Sequence, residues 1–110
     1  MILADMTTKG SLATGDYTKA CIESVRKHKD FFVGFVATQA LTSLADEADT
    51  DAEDFIVFTT GVNRSTNGDK LGQQFQTPEF SVKRGADFII AGRGIYATDD
   101  PAKTAKLYQE

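Results

Sequence analysis

The chain has 110 residues, 41% hydrophobic and 25% charged, with a net charge of −4; this suits one small, mildly acidic globular domain and falls well short of the roughly 250 residues of a closed eight-fold α/β barrel. A domain that tracks nucleic acid carries a basic surplus, so the acidic balance argues against that partner, and no apolar run approaches the length of a membrane-spanning helix, while MILADMTTKG is too short and polar for a secretory signal. The single Cys21 cannot form an internal disulfide, which makes a reducing, cytoplasmic setting the default.

Residues 1–4 read as the end of a buried strand, and 7–15 as a polar loop. Asp16 is placed to cap a helix in which Tyr17, Ala20, Cys21, Ser24, Val25 and His28 recur at helical spacing. Residues 31–36 (FFVGFV) form a continuous apolar run of strand length, predicted to be buried on both faces. The segment 38–54 ends in the acidic cluster Asp46, Glu47, Asp49, Asp51, Glu53 and Asp54, and residues 55–58 (FIVF) make a third strand. Residues 59–76 read as a long loop containing Gly61, Gly68 and Gly72. Thr77 is predicted to cap a short helix with Pro78 at its first position and Gly85 at its end. Residues 88–91 are the fourth strand, and Asp99 or Asp100 caps a last helix that begins at Pro101. The expected fold class is α/β, a single partial domain over residues 1–110 with about four βα units and parallel strands, whose C-terminal ends carry the chemistry.

Two motifs at those strand ends stand out. LGQQF at 71–75 offers a side-chain amide in a glycine-bearing stretch, and IIAGRG at 89–94 sets Arg93 between two glycines where a strand ends. An arginine presents its donors in a planar fork that suits a phosphate, and flanking glycines let backbone N–H groups approach the same anion. Arg93 taken alone also fits a surface arginine at a tight turn, and Gln73 alone a solvated polar residue. The acidic run at 46–54 alternates carboxylates as a calcium loop does, but it lacks the glycine and the terminal bidentate glutamate, so it reads as a solvated insertion. No metal site is expected. His28, the only histidine, falls near a helix end and has no catalytic reading, and Cys21 reads as a small core residue.

Four ordered segments span nearly the whole chain: DMTTKGSLATGDYT at 5–18, DFFVGFVAT at 30–38, VFTTGVN at 57–63 with GDKLGQQF at 68–75, and ADFIIAGRGIYA at 86–97. Together they resemble the C-terminal half of orotidine 5′-phosphate decarboxylase, in particular the fungal kind. The resemblance implies the C-terminal half, about four βα units, of a (β/α)8 TIM barrel that converts orotidine 5′-monophosphate to uridine 5′-monophosphate and CO2 with no metal or organic cofactor. It implies that Gln73 and Arg93 bind the phosphate with help from the backbone of Gly92 and Arg93, and that Thr7 of TTKGS meets the pyrimidine edge. It further implies a cytoplasmic homodimer with sites near the subunit interface.

The sequence departs from the family pattern in several places. Many relatives carry tyrosine where Phe75 stands, serine where Thr7 stands and proline where Thr60 stands. Losing the tyrosine hydroxyl removes a hydrogen bond to a charged group, a change of about 1.5–3 kcal/mol where nothing replaces it. The larger departure is an absence. The family's Asp-x-Lys-x-x-Asp array, whose lysine protonates the developing C6 carbanion, has no counterpart in these 110 residues.

Two functional readings follow: a portion of a working decarboxylase that carries the phosphate- and pyrimidine-binding half, or a non-catalytic phosphate-binding half-barrel module. A strand that starts abruptly at Met1 and a helix that stops at Glu110 favour the first. Either way the open sheet edges call for a partner, namely the N-terminal half or a second copy of the chain.

Overall fold

Short apolar runs rich in Ile, Val and Phe alternate with helix-forming segments, and that alternation sets the order of elements. The computed structural model describes residues 1–39, 55–64 and 76–109. Within them the elements are β1 (Ile2–Leu3), α1 (Asp16–Lys27), β2 (Gly34–Val36), β3 (Ile56–Thr59), α2 (Pro78–Lys83), β4 (Phe88–Ile89), α3 (Arg93–Tyr96) and α4 (Pro101–Gln109). The four strands form one sheet in the order β1-β2-β3-β4, and every pairing is parallel. Each strand is therefore laid beside its predecessor with no reversal of direction, as in an arc of a singly wound barrel and unlike a doubly wound sheet. The described sheet is open. No helix among the described residues is long and apolar enough to cross a membrane.

Register places Ile2 beside Phe35 and Phe35 beside Val57, so these side chains share one face. The helix α1 packs on that face through Cys21, Ile22 and Val25, which join Ala4, Phe35, Ala37 and Val57 in the core. Two buried hydroxyls tie the layers together: Thr18 donates to the Ala4 carbonyl at 2.7 Å and Thr59 to the Ala37 carbonyl at 2.8 Å. Both are thereby satisfied away from water. On the opposite face Leu3, Val36, Phe58 and Phe88 lie in register across the strands. Phe58 stacks on Phe88 with centroids 5.0 Å apart, yet Phe88 is 54% exposed and Leu3 36%.

Gly34 is required by close approach, because a Cβ there would lie 1.9 Å from the Ile56 carbonyl oxygen on the neighbouring strand. Asp87 anchors the start of β4 to β3: its backbone N–H donates to the Val57 carbonyl, and its carboxylate accepts from the Val57 N–H at 2.8 Å.

Several local expectations hold. The Thr77 side chain accepts from the Phe80 N–H with Pro78 at the first helical position, Gly85 follows α2 with φ 97°, and the Asp100 carboxylate accepts from the Lys103 N–H at the start of α4. Others need correction. Gly15, at φ 59°, precedes α1 in place of an Asp16 cap, and no side-chain capping bond forms. Asp16 instead lies in the first turn, where its charge still favours the helix N-terminus. The buried stripe of α1 is Thr18, Cys21, Ile22 and Val25, whereas Tyr17, Ala20 and His28 are exposed.

The run at 31–36 is a strand only over Gly34–Val36. Phe31 and Phe32 both donate backbone N–H groups to the His28 carbonyl, which folds them into a turn and leaves Phe31 80% exposed. Thr59 belongs to β3 rather than to the following loop. β4 ends at Ile89, and the short helix α3 beginning at Arg93 was not expected.

Candidate functional site

Because β3 and β4 are adjacent and parallel, the loops that leave their C-terminal ends are neighbours. These loops wall a cleft of about 310 Å³. Thr60, Gly61 and Val62 come from the loop after β3, Ile90, Gly92, Arg93, Gly94 and Tyr96 from the segment after β4, and Met6 from the loop after β1. Strand continuity sets the position of the second wall: the Ile90 N–H donates to the Thr59 carbonyl at 2.7 Å, which carries the chain directly into Gly92 and Arg93. The Ile95 and Tyr96 N–H groups both donate to the Gly92 carbonyl, so Arg93 and Gly94 sit in the first turn of α3.

The first wall is held from a distance in sequence. Val62 and Gln76 form a parallel bridge, in which the Asn63 N–H donates to the Gln76 carbonyl and the Gln76 N–H to the Gly61 carbonyl, each at 2.8 Å. Gln76 is itself fixed through its side-chain carbonyl, which accepts from the Ser81 hydroxyl of α2 at 3.2 Å. Asn63 and Gln76 are therefore held side by side at this wall.

Of the candidates read from the sequence, Gly92 and Arg93 are exposed and line this cleft. Thr7 is buried, 5% exposed; its neighbour Met6 lines the cleft and Thr7 does not. Gln73 and Phe75 lie outside the described residues, as does the acidic cluster at 46–54. Among the described residues no group of three or more His, Cys, Asp or Glu side chains converges to hold a metal ion.

The arrangement offers a guanidinium flanked by glycine backbone on one side and small residues on the other, a combination able to receive an anion at the strand ends. Met6, Thr60, Gly61, Val62 and Tyr96 were not read as site residues from the sequence. The usable signal was topological: TGVN at 60–63 follows β3 as AGRG at 91–94 follows β4, and adjacent parallel strands bring such loops together. A second depression, about 220 Å³, is lined by Asp5, Thr14, Gly15, Thr18, Lys19 and Gln39. Asp5 is engaged there by the Thr38 hydroxyl.

A family model described as "Orotidine 5'-phosphate decarboxylase / HUMPS family" matches residues 1–108. The orotidine 5'-phosphate decarboxylase of Solorina crocea is 66% identical over 110 residues, covering 99% of this chain and 39% of that protein. The protein of that name from Aspergillus fumigatus is 59% identical over 112 residues, and that from Emericella nidulans 60% identical over 110. Both cover 100% of this chain and 40% of their own length. The chain thus spans about two-fifths of the length of the curated relatives it matches.

Proposed function

The chain belongs to the orotidine 5'-phosphate decarboxylase / HUMPS family, and from that premise we propose that it is the phosphate- and pyrimidine-binding half of a (β/α)8 barrel that decarboxylates orotidine 5′-monophosphate to uridine 5′-monophosphate, a step of pyrimidine biosynthesis. The observation that carries the reading is the cleft at the C-terminal ends of β3 and β4 with Arg93 between Gly92 and Gly94. In this reading the Arg93 fork and the backbone N–H groups of Gly92 and Arg93 hold the phosphate. Gln73 joins them. Its part rests on the LGQQF motif at 71–75 that the family resemblance carries. Thr7, which is buried and does not line the cleft in this chain, is assigned to the pyrimidine edge by the family resemblance alone.

Binding the phosphate at one end orients the pyrimidine toward the remainder of the barrel, and that orientation is the contribution of these residues to the rate. The bond from C6 to the carboxylate breaks, CO2 leaves, and the electron pair left on C6 takes a proton from a lysine. No lysine of this chain stands in the family's Asp-x-Lys-x-x-Asp array, so the donor belongs to the portion of the relatives that this chain does not cover. The same portion is the partner proposed for the exposed face that carries Leu3 and Phe88. Assembly as a cytoplasmic homodimer follows from the family resemblance.

The test joins the chain to the N-terminal part of its Solorina crocea relative, giving a completed protein, and compares it with the 110-residue chain alone in a host that lacks its own decarboxylase. Conversion of orotidine 5′-monophosphate is expected from the completed protein and none from the chain alone, because carbanion protonation needs a positioned acid. Turnover by the isolated chain, or none by the completed and folded protein, refutes the proposal, the second result favouring a non-catalytic phosphate-binding module.

A further inference from the structure

The two walls of the Arg93 cleft are joined behind it by the last helix. Arg64, two residues beyond the wall residue Val62, donates its backbone N–H to the Tyr108 hydroxyl oxygen at 3.0 Å. Its guanidinium donates to the Leu107 carbonyl. A guanidinium on a carbonyl of the last helical turn satisfies an orphan acceptor and meets the negative end of the helix. The same Tyr108 hydroxyl packs against the second wall: a Cβ on Gly94 would lie 2.5 Å from it, and 3.1–3.2 Å from the Asn63 side-chain amide. The turn between α3 and α4 is stapled by Thr98, which donates to the Ile95 carbonyl at 2.7 Å and lies 3.0 Å from the Thr104 hydroxyl. A single phenol oxygen thus meets both loops: it is bonded to Arg64, two residues past the first wall, and packs against Gly94 of the second.

We infer that Tyr108, clasped by Arg64, is a positioning residue for the anion cradle: it sets the separation of the loop after β3 from the Gly92–Arg93–Gly94 turn and so tunes affinity for the phosphate of a nucleotide. This rests on the reading of Arg93 as the phosphate ligand. Tyr108 makes no contact with the ligand in this scheme. Its effect passes through Arg64 to Val62 on one side and through Gly94 to Arg93 on the other. Gly94 is glycine in this scheme because the phenol oxygen occupies the space a methyl group would need.

The experiment measures uridine 5′-monophosphate and uridine binding to the completed protein, with KM and kcat for orotidine 5′-monophosphate, for Tyr108→Phe, Arg64→Ala, Gly94→Ala and the double variant Gly94→Ala/Tyr108→Phe. Tyr108→Phe, which removes one hydrogen bond and keeps the ring, is expected to weaken the nucleotide by about three- to tenfold, raise KM to match, and leave kcat and uridine affinity unchanged. Arg64→Ala is expected to follow it. Gly94→Ala should weaken the nucleotide more, and the double variant should lose less than the product of the single losses, since the colliding oxygen is gone. Unchanged nucleotide affinity in both Tyr108→Phe and Arg64→Ala, an equal loss for nucleoside and nucleotide, or strict additivity of the double variant overturns the inference. Arg93→Ala serves as the reference: if it weakens the nucleotide while Tyr108→Phe does not, the clasp alone fails, and if Arg93→Ala has no effect, the phosphate reading falls and the clasp with it.

Discussion

Truncating Arg93 to alanine in the completed protein removes the guanidinium from the cleft and leaves the backbone N–H groups of Gly92 and Arg93 in place. Removing one partner of a buried, hydrogen-bonded charge pair costs about 2–5 kcal/mol or more in binding. Arg93 is exposed in this chain, so water and salt weaken its attraction for an anion and the loss belongs at the lower end, about 2–3 kcal/mol. At 1.4 kcal/mol per tenfold change, this is a loss of roughly 30- to 150-fold in affinity for uridine 5′-monophosphate. Uridine, which has no phosphate, should lose little. A thermal melt of Arg93→Ala beside the parent separates a loss of phosphate recognition from a loss of folded structure. Arg93→Lys keeps the charge but loses the planar fork, and its affinity should fall between parent and alanine. Calorimetric titration with nucleotide and nucleoside, accompanied by a thermal melt, reads all three quantities. A loss below threefold for the nucleotide, or an equal loss for the nucleoside, would refute the assignment of Arg93 to the phosphate.

Gly34→Ala should destabilise the completed protein by about 3 kcal/mol, the upper end for overpacking, because the added methyl group meets the Ile56 carbonyl oxygen of the next strand rather than a movable side chain. The melting temperature should fall by roughly 6–12 °C, and a fall under about 2 °C would show that the strands separate more easily than their pairing indicates. Phe75→Tyr, at a position outside the described residues, should tighten nucleotide binding by up to about 1.5–3 kcal/mol through a hydroxyl bond to phosphate and leave uridine unchanged. An equal gain for both ligands would assign the effect to the ring.

Much of the chain was legible from local chemistry. The cap at Thr77, Pro78 at the start of α2, Gly85 after its end and the Asp100–Pro101 start of α4 were all read correctly, because each is decided within a few residues by a hydrogen bond, a fixed φ or a missing Cβ. The alternation of short apolar runs with helical segments likewise pointed to parallel strands. Where the sequence misled, tertiary contacts had overridden the local signal. Tyr17 and Thr18 fit the helical period about equally, and Thr18 is the buried one because the Ala4 carbonyl needs a donor in the core. Phe31 has the composition of a strand residue, yet its N–H follows the His28 carbonyl into a turn.

For the site, the sequence alone determined which residues suit an anion: an arginine between glycines and a glutamine in a glycine-bearing loop are chemical statements that need no fold. Only the tertiary structure decided that TGVN and AGRG face each other across one cleft, that Thr7 is buried while Met6 lines the wall, and that Tyr108 reaches back to Arg64, 44 residues away. The difference is physical. Caps and turns are set by bonds between near neighbours in the chain, whereas a cleft is made by strand pairing and helix docking between residues that the sequence keeps far apart.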